Sequence, residues 1–206
     1  MAKHIDPGVV TSVAEAVGTV EAKSCAELVV EVRARSGSYA HADARFAAIV
    51  AFATLLFVLL SPWSFAPIWV APDVLIAYGT GLLIARSSPA IRRLMTTRRD
   101  RETKVHTYAA AAFVERGVAN TQRETGVLVY MSMVERRIDV IADRGVLDAV
   151  PVLEWNQVLE RMRARAASPD SLVEVLRVLQ LLLIRYLPAR AGDRNELPNE
   201  PRFVTE

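Results

Sequence analysis

The sequence predicts a small α/β domain interrupted by a pair of apolar helices. Three observations support this architecture: an almost uncharged apolar stretch covers residues 44–86, strand-like runs lie on both sides of it, and segments with helical spacing flank those runs. The 206 residues suffice for one domain plus an insertion. The mean hydropathy of +0.22 is high for a chain with 23% charged residues, which indicates that the apolar residues are concentrated. The net charge of +2 says little about partners.

The apolar stretch predicts a transmembrane hairpin at residues 46–86. Residues 46–60 carry no charged side chain, and together with residues 61–65 they reach the roughly 20 residues that cross a hydrocarbon core. The second run, residues 68–85, is interrupted only by Asp73. Helix-breaking prolines and interface-type aromatic residues separate the two runs: Pro62, Pro67, Pro72, Trp63, Phe65 and Trp69. The alternative, a hairpin buried in a soluble core, would show a polar stripe that residues 46–60 lack.

The flanking charges predict the orientation of the hairpin. Arginines precede the first run and follow the second, whereas the connecting loop has no Lys or Arg. By the positive-inside rule both termini are cytoplasmic, and we expect a two-pass protein of a bacterial inner membrane. Arg86, Arg92 and Arg93 are expected at the membrane interface. The basic run at residues 90–104 is expected to contact anionic lipid headgroups rather than nucleic acid, because it directly follows a span.

The remaining segments predict the elements of the α/β domain. Helices are expected at residues 9–23, 105–117, 150–166 and 168–187, a first strand at 26–36, and two further strands on either side of Glu135-Arg136. The chain therefore divides into residues 1–45 with the first helix and strand, the hairpin at 46–86, the rest of the domain at 87–187, and an extended tail at 188–206. The tail is rich in Pro and charge and is expected to order only along a partner.

No segment matches a familiar catalytic motif. The sequence has no Walker P-loop, GxGxxG, HExxH or GxSxG pattern. His4, His41 and His106 have no Cys or His nearby at ligand spacing, which disfavours a zinc site. Cys25 is the only cysteine, so no intramolecular disulfide can form, and a small buried apolar role is expected for it.

The carboxylates of the last predicted strand are the candidate chemical groups. Alternation places Asp139 and Asp143 on one face, but roughly 13 Å apart, too far for a close acid/base pair. Asp143 and Asp148 could converge near the end of the strand, where a hard cation such as Ca²⁺ would accept their oxygens. In the alternative interpretation, Asp139 pairs with Arg137 or with another basic neighbour, and Asp148 begins a turn.

The dipeptide Glu135-Arg136 is predicted to form the turn between these strands. A charged, solvated tip is the expected structure. Such a tip would be accessible to water, to lipid headgroups or to a protein partner.

The stretch TGVLVYMSMVERRIDVIADRGV, followed by Val-Pro and a tryptophan, resembles the bacterial membrane-bound branch of the TPM domain family. The matching positions are Gly126, Ser132, Glu135, Arg136, Asp143, Gly145, Pro151 and Trp155. The early SCAELVVEVRARSGSY is similar to the first strand of that branch. The resemblance implies a TPM-like α/β sandwich around a small sheet. Family members are linked to photosystem assembly and repair, to weak acid phosphatase activity and to Ca²⁺ binding, but most acidic residues of the phosphatase-like pocket have no match here.

Two functions are consistent with these patterns. The first is a non-enzymatic accessory, assembly or stabilising subunit of a membrane protein complex, photosynthetic or respiratory by analogy with the family, and without a cofactor. The second is a weak metal-dependent acid phosphatase or Ca²⁺-binding module that uses Asp143, Asp148 and Asp139.

Overall fold

The computed structural model describes residues 7–164, 167–190, 196–197 and 201–204. The chain divides into two compact units, an α/β unit of residues 1–36 and 102–206 and a helical unit of residues 37–101. The helices are α1 (Pro7–Lys23), α2 (Ala40–Leu60), α3 (Pro67–Ser87), α4 (Pro89–Leu94), α5 (Arg98–Glu115), α6 (Arg144–Ala149), α7 (Val152–Ala164) and α8 (Pro169–Tyr186). A 3₁₀ turn covers Val118–Asn120.

The α/β unit is built on one four-stranded sheet. Its strands are β1 (Glu27–Arg33), β2 (Gly126–Ser132), β3 (Arg137–Ala142) and β4 (Arg202–Val204), arranged in the order β3-β2-β1-β4. β1 pairs in parallel with β2 and β4, and β2 pairs antiparallel with β3. The central pair, β1 and β2, thus brings together strands that precede and follow the helical unit in the sequence.

Helical elements cover both faces of the sheet, as the resemblance implied. Leu28, Val30 and Val32 of β1 point into a core formed with α1, α7 and α8. Val29 points into a smaller core on the other face, with α5 and the 3₁₀ turn. Strands buried on both faces need apolar residues throughout, which explains the sequences ELVVEVR and GVLVYMS.

Local signals fix several element ends. Ser168 caps α8 through a reciprocal pair of hydrogen bonds with Ser171. Gly117 follows α5 with φ +68°, a left-handed conformation that costs glycine little. Cys25 is buried, as expected, and Trp155 of α7 is buried as well. Val152 is 70% exposed at the first residue of α7.

The predicted tail is ordered in part by its own chain. Residues 202–204 form β4 on the edge of β1, and the backbone N–H of Glu196 donates to Glu27 at 3.2 Å. The expectation that the tail orders only along a partner is therefore wrong for these residues, because β1 offers them a free strand edge. The predicted extended chain at residues 191–195, 198–200 and 205–206 lies outside the described residues, as does His4.

The helical unit is a hairpin of α2 and α3 with an interior of small residues. Each helix has 21 residues and is long and apolar enough to cross a membrane. Ala47 and Ala51 are buried on α2, and Gly81 and Ala85 on α3. Pro72 lies inside α3 rather than ending it, so its predicted role as a helix breaker is wrong. At the sixth residue of α3, Pro72 lacks the N–H that would bond to the preceding turn, and its ring crowds the carbonyl of Ile68.

Gly81 sets how closely the two helices of the hairpin approach. A Cβ added there would lie 2.9 Å from Ala47 Cα, whereas a Cβ at Gly79 would meet nothing within 4 Å. We expect Gly81→Leu to widen the distance between spin labels placed at the exposed positions Ile49 and Leu83. Gly79→Leu should leave that distance unchanged, and equal effects of the two variants would contradict the packing.

Candidate functional site

The three predicted acidic site residues do not converge in the structure. Asp143 precedes α6 as its N-cap, and its Oδ1 accepts from the backbone N–H of Arg144 at 2.8 Å. Asp148 is exposed near the other end of α6 and lies 3.5 Å from the Arg144 guanidinium. Five helical residues turn the two carboxylates about 140° apart. Asp139 lies on the sheet, in a different environment.

No group of three or more His, Cys, Asp or Glu side chains within the described ranges is arranged to hold a metal ion. The Ca²⁺ or phosphatase role of Asp143, Asp148 and Asp139 stays a prediction. Unchanged Ca²⁺ binding and phosphatase activity in the Asp143→Ala/Asp148→Ala variant would argue against it.

Asp139 is the floor of a cleft beside β3. Its Oδ2 lies 2.7 Å from His106 Nδ1, and its Oδ1 lies 3.8 Å from a terminal nitrogen of Arg163. The Asp139 side chain is 8% exposed, whereas those of His106 and Arg163 are 66% and 54% exposed. One buried carboxylate therefore orients two accessible groups that come from different helices. Asp139 therefore pairs with basic side chains, as the alternative interpretation expected, but these are His106 and Arg163, whereas Arg137 pairs with Glu102.

The cleft has a volume of about 320 Å³ and is rich in hydrogen-bonding groups. Its polar lining comprises Glu102, Thr103, His106, Arg137, Asp139 and Arg163. Arg137 is tied into the wall, because it lies 3.3 Å from Glu102 and donates to the backbone oxygen of Arg163 at 2.9 Å. With Nδ1 of His106 held by Asp139, Nε2 is the ring nitrogen that a ligand can reach.

Nothing local in the sequence singles out His106. Its partner Asp139 is separated from it by 33 positions, and the two meet only because α5 packs across the sheet. The helical spacing of Glu102, Thr103 and His106 places them on one side of α5, which is the only sequence signal for the cleft wall.

Glu135 is buried, so the prediction of a solvated charged tip is wrong for this residue. It is 2% exposed, and its carboxylate accepts from the backbone N–H of Ser36 at 3.0 Å and from the Ser132 hydroxyl. Its charge anchors the turn onto the segment that follows β1, where water, headgroups and partners cannot reach it. Arg136 is exposed as predicted and adopts φ +53° in the turn.

A second buried carboxylate, Glu31, was not predicted as an internal ion pair. It is fully buried, and its two oxygens accept from Arg33 Nε at 2.5 Å and Arg116 Nε at 2.7 Å. Burial alone would raise the pKa of Glu31, but the hydrogen bonds from Arg116 and Arg33 outweigh it and lower the pKa. Because Glu31 stays ionised, it fixes α5 against β1 through Arg116.

The neighbouring strand position carries a buried tyrosine. Tyr130 pairs with Glu31 in the β1–β2 register, and its hydroxyl lies 2.9 Å from Ser36 Oγ. Burial raises the pKa of Tyr130, so the phenol stays neutral. This hydrogen bond and the one between Ser36 and Glu135 both hold the segment that directly follows β1.

The predicted membrane-interface residues belong to the helical unit and differ in exposure. Trp63, Phe65 and Trp69 are exposed around the loop of the hairpin. Arg86 is exposed at the end of α3 and Arg93 is partly buried. Arg92 is partly buried and forms a two-pronged ion pair with buried Asp43 at 2.9 and 3.0 Å. The hydrogen bonds to Asp43 raise the pKa of Arg92, whose charge is used within the unit.

Comparisons with known proteins agree with this fold. Residues 84–168 match the family model described as the TPM domain. The NMR structure of the BA42 protein from the psychrophilic bacterium Bizionia argentinensis is similar, with a TM-score of 0.58 and 14% identity over 98% of this chain and 97% of that chain. At this identity the likeness concerns the fold alone. No curated protein matches. The resemblance identified in the hairpin of β2 and β3 is thus confirmed, and residues 84–168 are similar to the TPM domain.

Proposed function

We propose that this chain is an integral membrane protein that crosses the bilayer twice through α2 and α3. In this proposal the TPM domain faces the cytoplasm of a bacterial cell. It acts without catalysis as an accessory unit that helps a membrane protein complex to assemble or persist.

The observation that carries the membrane proposal is the inverted packing of the hairpin. Its buried residues are small, whereas its large apolar side chains are exposed. The exposed set includes Phe52, Phe57, Leu59, Leu60, Ile68, Leu75, Ile76 and Leu83. A water-soluble hairpin would bury these side chains, whereas lipid is a favourable solvent for them and small residues let the helices approach closely.

The charge distribution supports the orientation. The loop between α2 and α3 has no Lys or Arg and carries exposed aromatic side chains, as is usual at a membrane surface. Basic residues are concentrated beyond the opposite ends of the helices. This asymmetry supports cytoplasmic termini.

The accessory role is supported by how the domain uses its acidic side chains. Glu31 and Glu135 hold backbone segments and arginines in place, Asp143 caps a helix, and Asp148 pairs with a neighbour on the surface. These carboxylates therefore stabilise the fold, and a rigid domain of this kind is suited to binding other proteins.

Labelling of single cysteines tests the topology. In a Cys25→Ala background, Ser64→Cys should react with a membrane-impermeant maleimide on the outer side of the inner membrane. Gln122→Cys, in an exposed loop of the α/β unit, should react only after the membrane is broken. Equal labelling of both positions from one side would contradict a two-pass hairpin.

The accessory role requires a separate experiment. Cells that lack the protein should contain less of one assembled membrane complex, and mild-detergent purification of the native protein should yield subunits of that same complex. Unchanged complex abundance, together with a protein that purifies alone, would count against the role. The topology result would be unaffected.

A further inference from the structure

We propose that the cleft of His106, Asp139 and Arg163 binds the phosphodiester headgroup of an anionic phospholipid. The proposal rests on the membrane location proposed above. It assigns a ligand to a cleft whose key histidine the sequence did not single out.

The geometry of the cleft prepares two donors for one anion. Asp139 is buried; one of its oxygens is hydrogen-bonded to His106 Nδ1 at 2.7 Å, and the other lies at ion-pair distance, 3.8 Å, from Arg163. The exposed parts of both groups remain accessible. Donors that are already oriented lose less conformational freedom when a ligand binds.

The donor chemistry matches a phosphodiester. The Arg163 guanidinium offers a planar fork of N–H groups to one non-bridging oxygen, and the His106 ring, when both of its nitrogens carry a proton, offers Nε2–H to the other. The Thr103 hydroxyl lines the same cleft and adds a neutral donor. A volume of about 320 Å³ is at the lower end of the usual range for small-ligand sites, which suits a headgroup rather than its acyl chains.

The modest number of donors favours a lipid over a dissolved phosphate compound. Arg137 is already engaged with Glu102 and a backbone oxygen, so His106 and Arg163 are the two basic side chains that remain for a ligand. Two such contacts give weak binding from dilute solution. At a membrane surface the local concentration of anionic headgroups is high, so weak contacts become effective.

Histidine NMR of the full chain in detergent micelles tests the proposal. The ring Cε1–H signal of His106, identified with a His106→Gln variant, is followed while dihexanoyl phosphatidylglycerol is added. His41, which is exposed in the helical unit, is the internal control for a diffuse surface potential. Dihexanoyl phosphatidylcholine, inorganic phosphate and glycerol 3-phosphate are titrated separately.

We expect a saturable shift of His106 alone with phosphatidylglycerol, weakened at least about tenfold in Arg163→Gln. Arg161→Gln, the same change on the same helix outside this cleft, should bind like the parent. If the His106 and His41 signals shift in parallel, a diffuse surface potential explains the result, and the proposed binding in the cleft is wrong. Equal affinity for inorganic phosphate or glycerol 3-phosphate would overturn the lipid assignment, and equal affinity for phosphatidylcholine would overturn the role of charge. These results are independent of whether α2 and α3 cross the membrane.

Discussion

Gly126→Ala should lower the free energy of unfolding of the α/β unit by about 3 kcal/mol, one of the largest effects available in this chain. A Cβ at Gly126 would lie 2.1 Å from the backbone oxygen of Val118 and 2.7 Å from its Cγ1. Val118 is fully buried in the 3₁₀ turn, so neither atom can move aside without shifting backbone. The added methyl group can be accommodated only if the 3₁₀ turn moves away from the start of β2.

Denaturation followed by tryptophan fluorescence measures this loss. In a Trp63→Phe/Trp69→Phe background the remaining Trp155 is buried in the larger core and reports on the α/β unit. Gly18→Ala is the matched control, because an added Cβ there meets nothing within 4 Å and α1 should gain about 0.5–1 kcal/mol. A Gly126→Ala protein as stable as its parent would show that the 3₁₀ turn is not in close contact with Gly126 of β2.

Glu31→Gln should cost about 3 kcal/mol of unfolding free energy. The substitution keeps the shape of the side chain but removes the charge that compensates two partly buried guanidinium groups, Arg33 and Arg116. A glutamine oxygen can accept from one arginine, while its NH₂ group faces the other. Asp148→Asn removes a carboxylate from an exposed pair and should change stability by less than about 1 kcal/mol.

The same ion pair predicts how stability depends on pH. The folded pKa of Glu31 lies below its ordinary value of 4.5, so its contribution is complete above that value and is lost as pH falls through the folded pKa. The difference in unfolding free energy between the parent and Glu31→Gln should therefore shrink below about pH 4.5. A difference that stays constant from pH 7 to pH 3 would contradict the contribution of the ionised carboxylate.

The sequence was sufficient for the elements whose signal is local. Periodicity predicted β1, the β2–β3 hairpin and α8, and uninterrupted apolar length predicted the two apolar helices. The three residues of β4 and the six of α4 and α6 are too short for a periodic signal. The order of the sheet depends on pairing between distant segments, and no local pattern encodes it.

The candidate site was harder to predict because its partners are remote in the chain. Glu135 looked like part of a turn tip, and its burial follows from Ser36, far upstream. Glu31 and Arg116 also meet through packing of α5 across the sheet. A charge within an alternating pattern therefore gives no indication of whether it faces water or an internal partner.

The position of the helical unit within the chain has a consequence for synthesis. β1 pairs along its full length with β2, but the ribosome must first make the whole of residues 37–101 and the following helix. At about 5–20 residues per second, β1 waits on the order of ten seconds for its neighbour, and its other neighbour, β4, is made later still. During this interval the ELVVEVR segment exposes both edges, so rapid insertion of the nascent hairpin and chaperone protection of this strand should determine the yield of correctly folded protein.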